Sequence, residues 1–310
     1  MNSQAQQNQS QNTYPLSDII LPSTYNYIGV FLTLACNLNC SYCINTHNGL
    51  TRKDLLSNED KTKQKQKVLT PSEWIQGLSR IQTREDLPIT FQGGEPTISS
   101  SFYPIVKGIN KHMDLLTNGL FDLDEFRDKV LPSKFKRKAK YASIRISYHP
   151  EQMDLYRTAS RAQYLQELGY QVGVWSVLTP ANEQHLFNEA EQVFKEHQID
   201  FRYKEMLGEW NGEIKGTFKY PDSVESKTLK QCECRTTELL IGPNGNVYKC
   251  HSDLYAKREA IGHILQKDFH LDNAFRHCSN YGSCSACDVK IKTNRHQEYG
   301  HTSVEIINVR

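Results

Sequence analysis

Thr33-Leu34-Ala35-Cys36-Asn37-Leu38-Asn39-Cys40-Ser41-Tyr42-Cys43 is the stretch from which the rest of the chain can be read. Cys36, Cys40 and Cys43 lie close enough in sequence to converge on one small object. A closed zinc site or structural cluster takes four soft ligands. Three thiolates leave one iron of a 4Fe-4S cube open, and an open iron can hold something that reacts. Upstream, Tyr27 to Leu34 is apolar, β-branched and aromatic, as suits a buried strand delivering the loop from its C-terminal end. Gly29 weakens that strand slightly, because glycine in a strand costs entropy and often marks a bulge or close packing. Asn37, Asn39 and Ser41 suit tight turns.

The other cysteines are grouped too. Of nine, three lie at 36–43, none lies at 44–231, and six follow from Cys232 onward. In a reducing compartment they read as metal ligands and not as disulfides, and the spacing suggests two centres in two modules. The chain has 310 residues, enough for one large core and a smaller appendix. With 37 basic against 35 acidic side chains the net charge is +2, which argues against a dedicated nucleic-acid surface. No stretch has the length and apolarity of a membrane span, and the N-terminus lacks the parts of a signal peptide. The expected location is therefore cytoplasmic, with no membrane partner.

A second fragment, Pro88-Ile89-Thr90-Phe91-Gln92-Gly93-Gly94-Glu95-Pro96, reads as a strand and a glycine turn. Gly93 and Gly94 permit close backbone approach or positive φ, Glu95 can accept a hydrogen bond from an ammonium group, and Pro96 stiffens the exit. By itself this is an ordinary turn. Taken with Cys-x3-Cys-x2-Cys and the aromatic Tyr42 before the last cysteine, it resembles the radical S-adenosylmethionine (SAM) superfamily. The resemblance implies that Cys36, Cys40 and Cys43 hold a 4Fe-4S cluster whose open iron chelates SAM. It implies that Gly93, Gly94 and Glu95 serve the methionyl amino group and that Tyr42 lies near the adenine; Tyr42 also reads as an ordinary core aromatic.

Along the chain, residues 1–26 are expected to form a flexible lead-in, Gln-, Asn- and Ser-rich to about residue 18. Lys61, Lys63, Lys65 and Lys67 mark a solvated excursion in preference to a substrate lid. Thr70-Pro71-Ser72-Glu73 predicts a capped helix start, with Trp74, Ile75, Leu78 and Ile81 as its apolar face. Further strands are expected at 113–117, 142–148, 171–178 and 199–203, with helices at 123–130, 153–168 and 183–197. This alternation implies a mostly parallel sheet covered by helices. The fold class is α/β: a partial (β/α)6 barrel, as in the resembled superfamily, over residues 27–208, with a small cysteine-rich α+β extension over 209–310. Ligands gather at the C-terminal strand ends of such folds, which selects Asn118, Ser147, His149, Arg202 and Lys204. Ser147 and Arg202 are candidates for the SAM carboxylate or ribose, against a surface or neighbouring-shell role. Lys134, Lys136, Arg137, Lys138 and Lys140 read as solvated surface.

Beyond Lys204, residues 209–228 read as a connector. Residues 238–241 and 247–250 flank Gly242-Pro243-Asn244-Gly245-Asn246 as a hairpin. That hairpin can bring Cys234 and Cys250 together, and Cys284-Ser285-Ala286-Cys287 supplies a close pair. Spacing alone allows zinc. In this company the set resembles the auxiliary-cluster extension called SPASM, or its shortened form, twitch. The resemblance implies that Cys234, Cys250, Cys284 and Cys287 bind a second 4Fe-4S cluster, with Cys232 an alternative to Cys234. Cys278 is then a free thiol, an alternative ligand, or a catalytic hydrogen-atom donor.

The expected activity is reductive SAM cleavage followed by hydrogen-atom abstraction from a small polar substrate such as a sugar, cyclitol or nucleotide derivative. An auxiliary cluster suggests a net oxidation, hence an oxidoreductase. A low-potential donor such as flavodoxin or ferredoxin is implied. The alternatives are peptide modification by crosslinking or epimerisation, a non-catalytic iron-sulfur protein, and a zinc module.

Overall fold

The structure, a computed structural model, describes residues 16–46, 68–84, 86–139, 141–179, 184–224, 226, 228–292 and 301–310. The start of the predicted lead-in, the lysines at 61–67, Lys140 and Glu183 lie outside the described residues.

Six strands alternate with helices: β1 (Tyr27–Phe31), α1 (Pro71–Ser79), β2 (Ile89–Gln92), α2 (Phe102–Gly108), β3 (Met113–Thr117), α3 (Leu123–Lys129), β4 (Ile144–Tyr148), α4 (Leu155–Glu167), β5 (Val172–Leu178), α5 (Gln184–Glu196) and β6 (Asp200–Glu205). All five neighbouring pairs are parallel, and the strands run in chain order without a reversal. A right-handed crossover repeated in one direction puts every helix on the same face, which is how an open barrel is wound. Side-chain parity follows. Ile28, Val30, Ile89, Phe91, Met113, Leu115, Ile144, Ile146, Val172 and Val174 face the helices and form the main core. Their alternates, among them Gln92, Leu116, Arg145, Ser147, Trp175 and Lys204, line a cavity on the other face.

The capping box before α1 forms as predicted, with the Glu73 amide donating to Thr70 Oγ1 (3.3 Å) and the Thr70 amide to Glu73 Oε2 (2.8 Å). α1 stops at Ser79, so Ile81 is buried in a two-residue strand beside Ile19–Ile20 and not on the helix. One expectation is overturned. Arg137 is not solvated surface: its side chain is 0% exposed, and its guanidinium meets Asp114 Oδ1 at 2.5 Å and Asp86 Oδ1 at 2.9 Å. Arg145 reaches the other Asp114 oxygen at 2.8 Å, so ions plug the end of the barrel away from the cysteine loop. Lys134 is also held, by the Ile109 carbonyl, whereas Lys136 and Lys138 are exposed. Breaking a buried pair leaves a charge uncompensated, so Arg137→Ala is expected to cost about 3–5 kcal/mol, read as a fall in urea midpoint. A loss below about 1 kcal/mol would mean that water reaches the network.

The predicted connector contains a hairpin, β7 (Gly208–Trp210) and β8 (Glu213–Lys215), turned at Asn211 and Gly212 with φ of 51° and 82°. After it come β9 (Lys230–Thr236), β10 (Glu238–Ile241), β11 (Asn246–Tyr248), α6 (His251–Tyr255), β12 (Gly262–His263), β13 (Arg276–Tyr281), α7 (Ala286–Val289) and β14 (Val304–Ile307). β10 pairs in parallel with β1, and β11 and β12 continue outward, giving a nine-stranded sheet. Residues on both sides of position 208 thus contribute strands to the main sheet. β13, β9 and β14 form a separate antiparallel sheet. Among the described residues, no helix is long and apolar enough to cross a membrane.

Candidate functional site

The cysteine loop follows β1 and is fastened from three sides. From the β2 loop, the Gly94 amide donates to Thr33 O (3.1 Å) and the Glu95 amide to Ala35 O (2.8 Å). Gly93 and Gly94 are required here. A Cβ on Gly94 would stand 1.9 Å from Ala35 O, and one on Gly93, whose φ is +128°, 2.6 Å from Thr33 O. The close approach that these glycines permit is therefore to the cysteine loop's own backbone. From β3, Asn118 Nδ2 donates to Asn37 Oδ1 (2.6 Å) and lies 3.8 Å from Cys36 Sγ. From beyond β4, Glu151 accepts from the Ser41 amide and hydroxyl (2.7 and 2.8 Å), and Gln152 accepts from the Asn39 amide (2.8 Å).

Glu95 is 1% exposed and bonds inward. Its Oε1 accepts from Thr97 N, Thr97 Oγ1 and Thr117 Oγ1, and its Oε2 accepts from Asn118 N at 2.7 Å. These bonds match the roughly four acceptor positions of a carboxylate. Burial pushes its carboxyl up from the usual range, while those donors pull it down. Its evident work is to tie the glycine turn to β3.

The sequence-selected residues meet in one cavity of about 960 Å³. Cys36, Cys40 and Cys43, each partly exposed, lie on its wall together with Tyr42, the glycine turn, Asn118, Ser147 and Arg202. Tyr42 is buried, and its hydroxyl pairs with His149 Nδ1 at 2.9 Å. Burial drives the His149 imidazole down to about 4, so it is neutral at pH 7. Arg202 grips Asp200 at 2.9 Å and lies over the Trp175 ring. Lys204 is lowered to about 8 by burial, then by Arg145 and Lys290.

Gln92, Arg145, Trp175 and Lys290 are among the cavity residues that the sequence reading did not select. Gln92 is held by the Tyr27 hydroxyl at 3.0 Å, and its amide nitrogen makes no hydrogen bond among the described residues. Strand parity could have found Arg145 two residues before Ser147, and Gln92 at the last position before the glycines.

The C-terminal cysteines fall into two places in the structure. β9 puts Cys232 and Cys234 on one buried face, with Cys232 opposite Cys278 and Cys234 opposite Arg276 on β13. The Cys234 thiol donates to Cys278, holding Cys278 down and pushing Cys234 up. Cys232, Cys234, Cys250, Cys278 and Cys284 pack in one cluster, whereas Cys287 faces the cavity. Cys278 is not part of the cavity wall. Among the described residues, no three His, Cys, Asp or Glu side chains surround a single-ion position.

No family profile matches the sequence. The GTP 3',8-cyclase of Alkaliphilus metalliredigens (strain QYMF) is 26% identical over 221 residues, 65% of this chain and 63% of that protein. Two structures of Streptococcus suis SuiB share the fold, each with TM-score 0.52, 13% identity and 79% of this chain covered. One is bound to the precursor peptide SuiA and spans 63% of the SuiB chain; the other is bound to S-adenosylmethionine and spans 62%. This chain therefore spans less than two thirds of the length of these relatives.

Proposed function

We propose that the chain belongs to the radical SAM superfamily, that Cys36, Cys40 and Cys43 hold a 4Fe-4S cluster and that SAM binds beside it, a reading supported by the similarity to the GTP 3',8-cyclase and by the fold shared with SuiB. The enzyme then acts on a small polar substrate, a sugar, cyclitol or nucleotide derivative. The observation that carries this reading is the cavity of about 960 Å³, walled on one side by the three thiols and on the other by polar strand-end residues. It lies at the upper end of the range for small-ligand sites, as a cosubstrate and a substrate together require.

When bound, the cluster and SAM supply one-electron cleavage of a carbon–sulfur bond and the abstraction of a hydrogen atom from substrate. The chain's residues do the rest. The Leu38 amide donates to Cys36 Sγ at 3.4 Å, and the Asn118 amide approaches the same sulfur, so both orient it. The Gln92 amide and Ser147 hydroxyl are placed to hold polar groups of SAM, and buried Tyr42 and Trp175 exclude water around them.

Cys234, Cys250, Cys284 and Cys287 are proposed as ligands of a second cluster in a twitch/SPASM-like segment, serving a net oxidation. Lys249 lies within electrostatic reach of Cys234, Cys250 and Cys278 and opposes the burial that pushes the Cys234 and Cys250 thiols up. Electrons would come from an external low-potential donor such as flavodoxin or ferredoxin. A second reading, peptide modification, is favoured by the likeness to SuiB, solved with its precursor peptide.

The test is anaerobic reconstitution, followed by assay of 5'-deoxyadenosine release on reduction with SAM present. Release that accelerates with a sugar, cyclitol or nucleotide derivative is expected. Acceleration by peptides alone would move the conclusion to the second reading, and no release under any condition would sink both.

A further inference from the structure

The cavity holds more positive charge than its own acids neutralise. Arg202 is paired with Asp200, and Lys292 bonds to Glu238 and Ser303. Arg145 shares Asp114 with Arg137. Glu205, the acid next to Lys204, points its Oε2 to the amide and hydroxyl of Thr217 at 3.1 and 3.0 Å. Lys204 and Lys290 remain. Neither ammonium has a hydrogen-bond or carboxylate partner among the described residues, and both line the cavity. Arg145 also lines the cavity, and its Nε, just beneath the surface, has no acceptor among the described residues. Arg145, Lys204 and Lys290, from β4, β6 and the segment after α7, thus line one cavity, where a neutral ligand would leave the two ammonium groups unanswered. Desolvated cations without a counter-charge are costly, so the arrangement is stable once an anion completes it.

We propose that Lys204, Lys290 and the Nε of Arg145 form a receptor for an anionic group of the substrate, a phosphoryl or a carboxylate oxyanion. The inference rests on the reading of the cavity as a substrate site, and it adds charge to the substrate class given above. Lys290 comes from the C-terminal segment and Lys204 from the barrel, so the anion would sit between the two. His149, bonded to Tyr42 beside the cysteine loop, lines the same cavity.

The experiment uses the reconstituted full chain at low ionic strength. Inorganic phosphate, acetate and SAM are titrated calorimetrically into the wild type and into Lys204→Met, Lys290→Met, Lys204→Gln and the exposed-site control Lys138→Met. Loss of one charge-assisted contact is worth about tenfold in affinity. Each cavity variant is therefore expected to weaken phosphate or acetate by about tenfold, with the control unchanged and SAM affinity within about twofold. A preference for phosphate over acetate would assign a phosphoryl group, and the reverse a carboxylate. Wild type that binds neither anion, or variants that bind them as well as wild type does, would overturn the proposal. So would a parallel fall in SAM affinity, since the cations would then serve SAM itself. Wild type that binds an anion but no SAM would instead defeat the underlying functional reading and leave the anion receptor standing.

Discussion

Replacing Cys36, Cys40 and Cys43 together by alanine is expected to abolish 5'-deoxyadenosine release and to remove one cluster's worth of iron, from about eight atoms per chain to about four. The effect should be total, because no other thiol is placed to substitute. Cys287 shares the cavity wall but comes from α7, and the remaining cysteines pack in a separate cluster on the β9 sheet. The fold should survive, since the loop's anchors, at Thr33, Ala35, Asn37, Asn39 and Ser41, do not use the cysteine side chains. Iron and sulfide analysis with circular dichroism separates these outcomes. Wild type with about four irons and a variant with none would remove the second cluster from the proposal. Release that persists in the variant would disprove the assignment of these thiols altogether.

Gly94→Ala should be nearly as damaging without touching a ligand. The added Cβ would lie 1.9 Å from Ala35 O, 2.4 Å from Ala35 C and 2.7 Å from Leu34 C. All three are backbone atoms, so no rotamer change relieves the clash, and ordinary contact requires the two loops to separate by more than an ångström. The Glu95 amide bond to Ala35 would be lost with that movement. Misplacement of this size costs about a hundredfold in rate, so release should fall at least that far and iron loading should become incomplete. Gly169→Ala provides the contrast. Its φ is +89° and its nearest neighbour, Pro132 Cβ, is 3.9 Å from the added atom, so only backbone strain of about 1–2 kcal/mol is expected. Equal behaviour of the two variants would mean that strain, and not the contact between loops, makes Gly94 necessary.

The parts of the fold legible in the sequence were those governed by local periodicity. Alternating apolar runs gave six barrel strands because each needs one face on the helices, and Thr70 to Glu73 announced α1 through bonds made within four residues. The cysteine loop and glycine turn were legible because their spacing is local. Arg137 was misread because its partners, Asp86 and Asp114, lie far away in sequence, and a run of lysines around it looks solvated. The β7–β8 hairpin carries its signal in Asn211-Gly212, but the strands on either side are too short to show alternation. The distribution of the C-terminal cysteines depends on which strand face each occupies. Cys232 and Cys234, two residues apart, share one face, and no spacing rule could choose between them.

The parallel pairing of β10 with β1 has a consequence for how the protein is made. Glu238 sits opposite Tyr27 and Ile241 opposite Val30, so the strand that carries the cysteine loop waits for a partner about two hundred residues later. On the ribosome the barrel strands emerge first, with one flank of β1 still offering unpaired amides and carbonyls to any other nascent strand. Arg80, which donates to the carbonyls of Ile264, Gln266 and Lys267, likewise gains its acceptors late. The sheet beneath the cysteine loop is therefore completed only after the C-terminal segment has been made.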